Sequence, residues 1–422
     1  MDLSAKLAWR NIFRQKRRSI LTVLTMTGGF VLSSLSIGWM NGSYGNMILF
    51  FTNHRTGQIQ LHAENYLNDR SIYDFIENYS GVSRMLSQVE GVEAWSPRIY
   101  AGALLASRSP GSPPGLFSNS AGASIIGIDP VMEDGATSFT NQIISGSMLG
   151  ASQADSVLYA AGEILLGKEL ALILNAETGD SLVLFSQAID GSSADRRYAV
   201  KGIVSTGNSD LDRSTAYITL ADAQLLFFLE NRVHEIAVIT GSLDEVEGTI
   251  AEIQAVLNDT TVTVESWKEF AREFYNGMKA DEASLKITLG IILAMAALGV
   301  LNTILMMVLE RRREFGVMKA IGTPQGKIVR MVVLEANLLA VVSVILGSLL
   351  SLAGLVYLSR NGIVLDQPLD YGGFVFREMM ATVSFECFWI PALSIMVTAS
   401  VVSLLPALRA SRTDPARSLR TV

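Results

Sequence analysis

Four stretches of this chain are too long and too bare of charge to be ordinary helices of a soluble protein. Ser19 to Asn53 contains no Asp, Glu, Lys or Arg, and Ile287 to Leu309, Met331 to Leu358 (with one Glu) and Phe388 to Leu408 are similarly poor in charge. A helix rising about 1.5 Å per residue needs roughly 20 residues to cross about 30 Å of hydrocarbon, and each stretch reaches that length. Composition agrees, with 49% hydrophobic and only 17% charged residues in a chain of 422. The sequence therefore predicts an α-helical membrane protein with four transmembrane helices.

Lys and Arg near span ends stay on the cytoplasmic side. Lys6, Arg10, Arg14, Lys16, Arg17 and Arg18 precede the first span, Arg311, Arg312, Arg313, Lys319, Lys327 and Arg330 lie between the second and third, and Arg409, Arg412, Arg417 and Arg420 follow the fourth. All three groups belong inside, which puts both termini in the cytoplasm. The first apolar run is too long for a signal peptide and lacks an A-x-A-like exit, so it reads as a retained anchor.

The two remaining connections face out. Residues 41–282 hold 31 acidic against 14 basic side chains, a local −17, so the rest of the chain sums to +10 and the overall −7 averages two opposite regions. So acidic an external domain argues against nucleic acid as a partner. The single cysteine, Cys387, rules out an intrachain disulfide. Alternation in GQIQLHA, EAWSPRIYAGALLAS, SIIGIDP, LVLFSQ, RRYAVKGIVSTG, STAYITL, HEIAVIT and TVTVES predicts strands. Helical spacing is read in Ile72 to Val89, GEILLGKELALIL, ADAQLLFFLE and LDEVEGTIAEIQAVL. Pro, Gly and Ser punctuate RSPGSPPGLFSNSAGAS as a loop or a subdomain boundary. The result is an inserted α+β extracytoplasmic domain of two lobes. His54, His62 and His234 are scattered, with no HExxH or CxxC, and GASIIG has Ile where a nucleophile elbow has Ser, so the domain carries no catalytic constellation.

ERRREFGVMKAIGTPQGKIVR, residues 310–330, is the most sharply punctuated segment. GTPQGKI is no Walker A loop, since three residues rather than four separate its glycines and Ile328 follows Lys327. At about 100° per residue, Phe315, Val317, Met318 and Ile321 share one arc of a short helix with Glu314 inside it. Gly322 ends that helix and Pro324 prevents its continuation. The segment is either an interfacial helix with Glu314 paired to Arg311 or a docking knob for a partner. Thr25, Gly29 and Ser33, and Ser343, Gly347 and Ser351, repeat small residues every fourth position, which suits close helix packing within one chain as well as between two.

ERRREFGVMKAIGTPQGKI resembles the cytoplasmic loop of MacB/FtsX-type ABC transporter permeases. SSLSIGWMNGSYGNM, IIGIDP, ILLGKELA with TGD, and LLPALRASRTDPARSLR are similar to the same family's pattern, so the resemblance covers nearly the whole chain. It implies a cytoplasmic amphipathic N-terminal helix (1–18), a first span with stalk (19–53) and a MacB-like periplasmic domain (54–270). A returning stalk with the second span (271–309), a coupling-helix loop (310–327), a third span (328–358), an external loop (359–386), a fourth span (387–409) and a tail (410–422) follow, the FtsX-like region being 284–415. In layout the chain is closest to the lipoprotein-releasing (LolC/LolE-like) branch. LVLFSQAIDGSSADRRYAV aligns there with a hairpin hook, although its loop is short and has no proline.

The resemblance further implies a permease rather than an enzyme, in the bacterial inner membrane, working by mechanotransmission. Its expected partners are a dimer of ABC ATPase subunits that binds the ATP and Mg²⁺, a second permease copy or paralogue, membrane lipid, a lipophilic or lipoprotein cargo, and a periplasmic acceptor. No cofactor or metal is expected in this chain. Glu314, Phe315, Val317, Met318 and Ile321 are the expected ATPase-coupling residues. Trp39, Met40, Tyr44, Met47, Phe51, Leu285 and Leu289 are the expected cargo cavity, an apolar slot at outer-leaflet depth where acyl chains gain about 0.8 kcal/mol per buried CH₂. The alternative function is a transmembrane signalling regulator that activates an extracytoplasmic partner such as a cell-wall hydrolase.

Overall fold

The computed structural model describes residues 16–64, 66–67, 70–107, 117–150, 162–257, 261–371 and 374–412. Most of the expected N-terminal helix, loop residues 108–116 and most of the tail fall outside them. The chain divides into two compact units, one of residues 1–46, 277–366 and 378–422 and the other of 47–276 with 367–377.

The first helix, α1 (Lys16–Phe51), is unbroken over 36 residues and ends in a π-helical turn, Thr52–Thr56. The external domain follows as β1 (Ile59–Ala63), α2 (Tyr79–Leu86), β2 (Ala94–Ser107), β3 (Asn119–Ile128), α3 (Pro130–Thr137), β4 (Ile143–Gly146), β5 (Gly162–Gly167) and α4 (Lys168–Leu174). It continues as β6 (Ser181–Gln187), β7 (Ser193–Val204), α5 (Ser209–Ser214), β8 (Thr215–Thr219), α6 (Leu220–Phe227), β9 (Glu235–Ile239), α7 (Val246–Val256), β10 (Val262–Ser266) and α8 (Trp267–Phe270).

Strand β2 is the hinge of the architecture because it changes partner along its length. Ala94–Arg98 pair with β9, Arg98–Ser107 with β3, and Leu104–Ser107 also with β6. Since β6 pairs in turn with β7, β7 with β5, β5 with β8 and β8 with β3, six strands close into a ring. Ile125, Leu166, Leu184, Val200 and Ile218 fill it. The other lobe is the open run β10-β1-β9-β2, covered by Val82 and Leu86 of α2 and Val246 and Ile253 of α7. Strands β8 and β9 are buried at every position, as strands covered on both faces must be.

Two sequence expectations are corrected here. GEILLGKELALIL is a strand and then a helix, because its first half is a strand paired on both edges and buried from Ile164 to Gly167, and Gly167 turns the chain where a β-carbon would lie 2.3 Å from the Asp212 carbonyl oxygen. Ile72 to Val89 is helical only over Tyr79–Leu86, which Asn78 caps by accepting from the Gly81 amide. The aligned hook is a tight hairpin, with the Ala188 amide donating to the Ser192 carbonyl and Gly191 at φ +84°.

The remaining elements are α9 (Arg272–Glu310), α10 (Arg312–Ala320), α11 (Gln325–Asn361), the hairpin β11 (Ile363–Tyr371) and β12 (Phe374–Met379), and α12 (Glu386–Ser411). Among the described residues, the helices α1, α9, α11 and α12 are the four long and apolar enough to cross a membrane. The hairpin was not anticipated. In the membrane unit both small-residue stripes are used within the chain. Gly29 lies against Ala296 of α9, the Ser343 hydroxyl of α11 reaches the Val23 carbonyl of α1 at 3.3 Å, and a β-carbon on Gly347 would sit 2.7 Å from the Phe30 ring.

Candidate functional site

Helix α10 forms because ERRREFGVMKA holds no proline and only one glycine, the buried Gly316, before Gly322 ends it at φ +91°, and Pro324 then caps α11. Its entry is fixed by charge. The Arg311 Nε donates to Glu314 at 2.9 Å and its Nη1 donates to Glu335 of α11 at 3.0 Å. The guanidinium also lies over the Phe315 ring, 5.3 Å from its centroid. Glu335, the one carboxylate in the third span, is thus the anchor that holds α10 to that span.

This anchoring splits the predicted arc. Phe315 is 1% exposed and packs with Val308, Ile328 and Val332, with Met318 half-buried against the same core. Glu314 is engaged by Arg311. Val317 and Ile321, by contrast, are 45% and 77% exposed, and Arg312, Arg313 and Ala320 are exposed beside them. The outward face of α10 is therefore Val317 and Ile321 with a basic border, while Phe315 faces the protein's own spans. Lys327 is exposed on the first turn of α11.

The expected cargo residues lie where α1 and α9 run antiparallel. Where α1 begins and α9 ends, Arg18 pairs with Glu310, Thr25 lies against Gly299, and further along the Tyr44 hydroxyl donates to Asp281 at 2.9 Å. In the external unit Phe51 stacks on Phe274 with ring centroids 5.3 Å apart. Trp39 is exposed, Met40, Tyr44, Leu285 and Leu289 are half-buried, and Met47 is only 2% exposed. Met47 is thus packed inside, and Phe51 is a stacking residue. Sequence reading also missed that Gly42 lets α1 touch the segment before α12, where a β-carbon would fall about 2.5 Å from the backbone of Met380 and Ala381.

Two of the histidines, His62 and His234, are packed inside the external domain. His62 and His234 each stack on Tyr66, and the His234 Nδ1 accepts from the Tyr100 amide at 2.9 Å.

Two protein families match this chain. The MacB-like periplasmic core domain matches residues 19–256, and the FtsX-like permease C-terminal region matches residues 286–415. The chain is similar to the lipoprotein-releasing system transmembrane protein LolC of Xylella fastidiosa, with 24% identity over 70% of this chain and 72% of that protein. It is also similar to LolE of the same system in Haemophilus influenzae, with 22% identity over 61% of this chain and 64% of that protein. Among solved structures, the periplasmic region of MacB from Actinobacillus actinomycetemcomitans aligns at 15% identity and a TM-score of 0.35, over 54% of this chain and 98% of that one.

Proposed function

We propose, from the premise that this chain belongs to the MacB-like periplasmic core domain family and is an inner-membrane ABC transporter permease, that it extracts a lipophilic cargo, an acylated protein in the first place, from the outer leaflet of the inner membrane. The observation that carries this reading is the length of two paired helices. At 36 and 39 residues, α1 and α9 are about 54 and 58 Å long, nearly twice the hydrocarbon thickness, and neither is interrupted. A rod of that length delivers a displacement made at one end to the other, which is what mechanotransmission requires. The names of the similar proteins, both from a lipoprotein-releasing system, support the cargo class.

The energy comes from ATP bound with Mg²⁺ in a separate ATPase dimer that docks on α10. We assign the contact to Val317 and Ile321, with Phe315, Met318 and Glu314 holding the helix in place behind them. Two permease copies, both with cytoplasmic termini, would face each other across the outer-leaflet ends of α1 and α9, where Trp39, Met40, Tyr44, Leu285 and Leu289 supply apolar surface.

A photo-crosslinker at Trp39, in cells, tests the cargo. Capture of acylated protein is expected, and capture of phospholipid alone would count against extraction. Recovery of a cell-wall enzyme on the external domain, without acylated protein at Trp39, would favour the signalling alternative.

A further inference from the structure

Where α1 gives way to the external domain, the π-helical turn Thr52–Thr56 adds a residue to the helical turn and places Arg55 on the wall of a cavity of ≈ 220 Å³. Arg55, Arg70 and Arg98 all line it. Arg98 is fully engaged, donating from Nε and Nη2 to Glu133 at 3.0 and 2.6 Å and from Nη1 to Glu235 at 3.1 Å. Glu133 is further satisfied by the Ser96 and Thr137 hydroxyls, and Glu235 by the Tyr100 hydroxyl. No hydrogen bond or ion pair among the described residues reaches Arg55, and burial, with Arg98 adding to it, draws its pKa below the ordinary guanidinium value.

Arg55 is half-buried, and a cation drawn out of water without a counterion is disfavoured. Three arginines against Glu133 and Glu235 leave one positive charge over, and that surplus lies with Arg55 and, at the rim, Arg70. Phe51, Ile128, Phe139 and Phe270 form apolar walls, so a charge inside is poorly screened and holds its counterion more strongly. Gln60, 3% exposed, donates from Nε2 to the Thr56 carbonyl at 2.8 Å and leaves its Oε1 unpartnered. The volume is below the range of drug-sized sites, roughly 300–1,000 Å³, and suits a small group.

We propose that this cavity is a binding site for one small oxyanionic group, a phosphate or a carboxylate, held by the guanidinium of Arg55 in the two-pronged geometry that guanidinium favours. A free anion and a lipid headgroup present the same chemistry. The site is independent of the cargo reading above.

The test is the rate at which phenylglyoxal modifies Arg55 in the purified full-length protein, held in a phosphate-free non-ionic detergent and read by peptide mass spectrometry. The probes are inorganic phosphate, acetate and dihexanoyl phosphatidic acid, each against chloride at equal ionic strength. Several-fold slowing by phosphate or acetate is expected and marks a free anion, whereas slowing by the phosphatidic acid alone marks a headgroup. No slowing by any of the three overturns the proposal. Arg55→Gln should unfold at a higher temperature than the wild type without anion and should lose any thermal shift on adding it, with Arg55→Lys keeping part of that shift. A less stable Arg55→Gln would reveal a structural ion pair and would also overturn it.

Discussion

Glu335 and His62 are buried ionisable side chains with opposite solutions to the cost of burial. Glu335 stays paired, 3.0 Å from the Arg311 guanidinium. Glu335→Leu would leave the Arg311 guanidinium with Glu314 as its remaining carboxylate; loss of one partner of a buried pair costs up to about 3–5 kcal/mol, whereas replacing both partners with apolar residues is often neutral. Thermal unfolding in detergent should therefore show Glu335→Leu markedly destabilised and Arg311→Leu/Glu335→Leu largely recovered. His62 stays neutral instead. Burial first, and then the nearby Arg70 charge, lower its pKa to about 4. A base with a depressed value contributes stability that is complete above its unfolded pKa near 6.5 and is lost as the pH falls toward 4, a loss of about 3 kcal/mol by pH 4. His62→Phe keeps a ring beside Tyr66 but cannot titrate. Its stability difference between pH 7 and pH 4, from denaturant unfolding, should be smaller than that of the wild type by about that amount.

At the scale of elements, α10 separates docking from packing. Ile321→Asp and Val317→Asp place a carboxylate on an exposed face, so both should leave the protein folded and in the membrane while abolishing ATPase co-purification. Phe315→Ala removes a fully buried ring and should cost about 3–5 kcal/mol of stability. Lys327→Ala should do neither. Wild-type co-purification by Ile321→Asp would refute the docking face. The sequence made this helix, its glycine stop and its proline legible, along with the four spans, because long charge-free runs and breakers act locally. Periodicity placed Phe315 and Ile321 on one arc but held no information on which edge of that arc the spans would cover. The reason lies in Glu335, 24 residues from Arg311, whose role depends on a tertiary contact. For the same reason GEILLG passed for helix: a strand buried on both faces loses the alternation that identifies strands. The hairpin Ile363–Tyr371 with Phe374–Met379 was hidden by its mixed charges, and the Arg55 cavity by the distance in sequence between Arg55, Arg98 and Glu235.

At the scale of the whole molecule, the chain's charge is sorted by side. The −17 of residues 41–282 and the +10 of the rest would leave only −7 if mixed, but on the expected topology lipid separates them, and only the basic segments resist translocation. On the orientation expected from charge, Arg311–Arg313 and Lys327 would put α10 on the side where the proposed ATPase works. The external domain, without a disulfide, depends on the ring closed by β6 and on the paired carboxylates around Arg98. Orientation is the premise on which both the docking and the cargo assignments stand. Ser192 sits at the exposed tip of the β6–β7 hairpin, and Gln325 at the exposed start of α11. The native Cys387 is buried, which keeps background labelling low. In spheroplasts, Ser192→Cys should react with a membrane-impermeant maleimide at once, whereas Gln325→Cys should react only after the membrane is permeabilised. Equal reaction of the two in sealed spheroplasts would reverse or abolish the four-span arrangement, and with it the assignment of Val317 and Ile321 to a cytoplasmic partner.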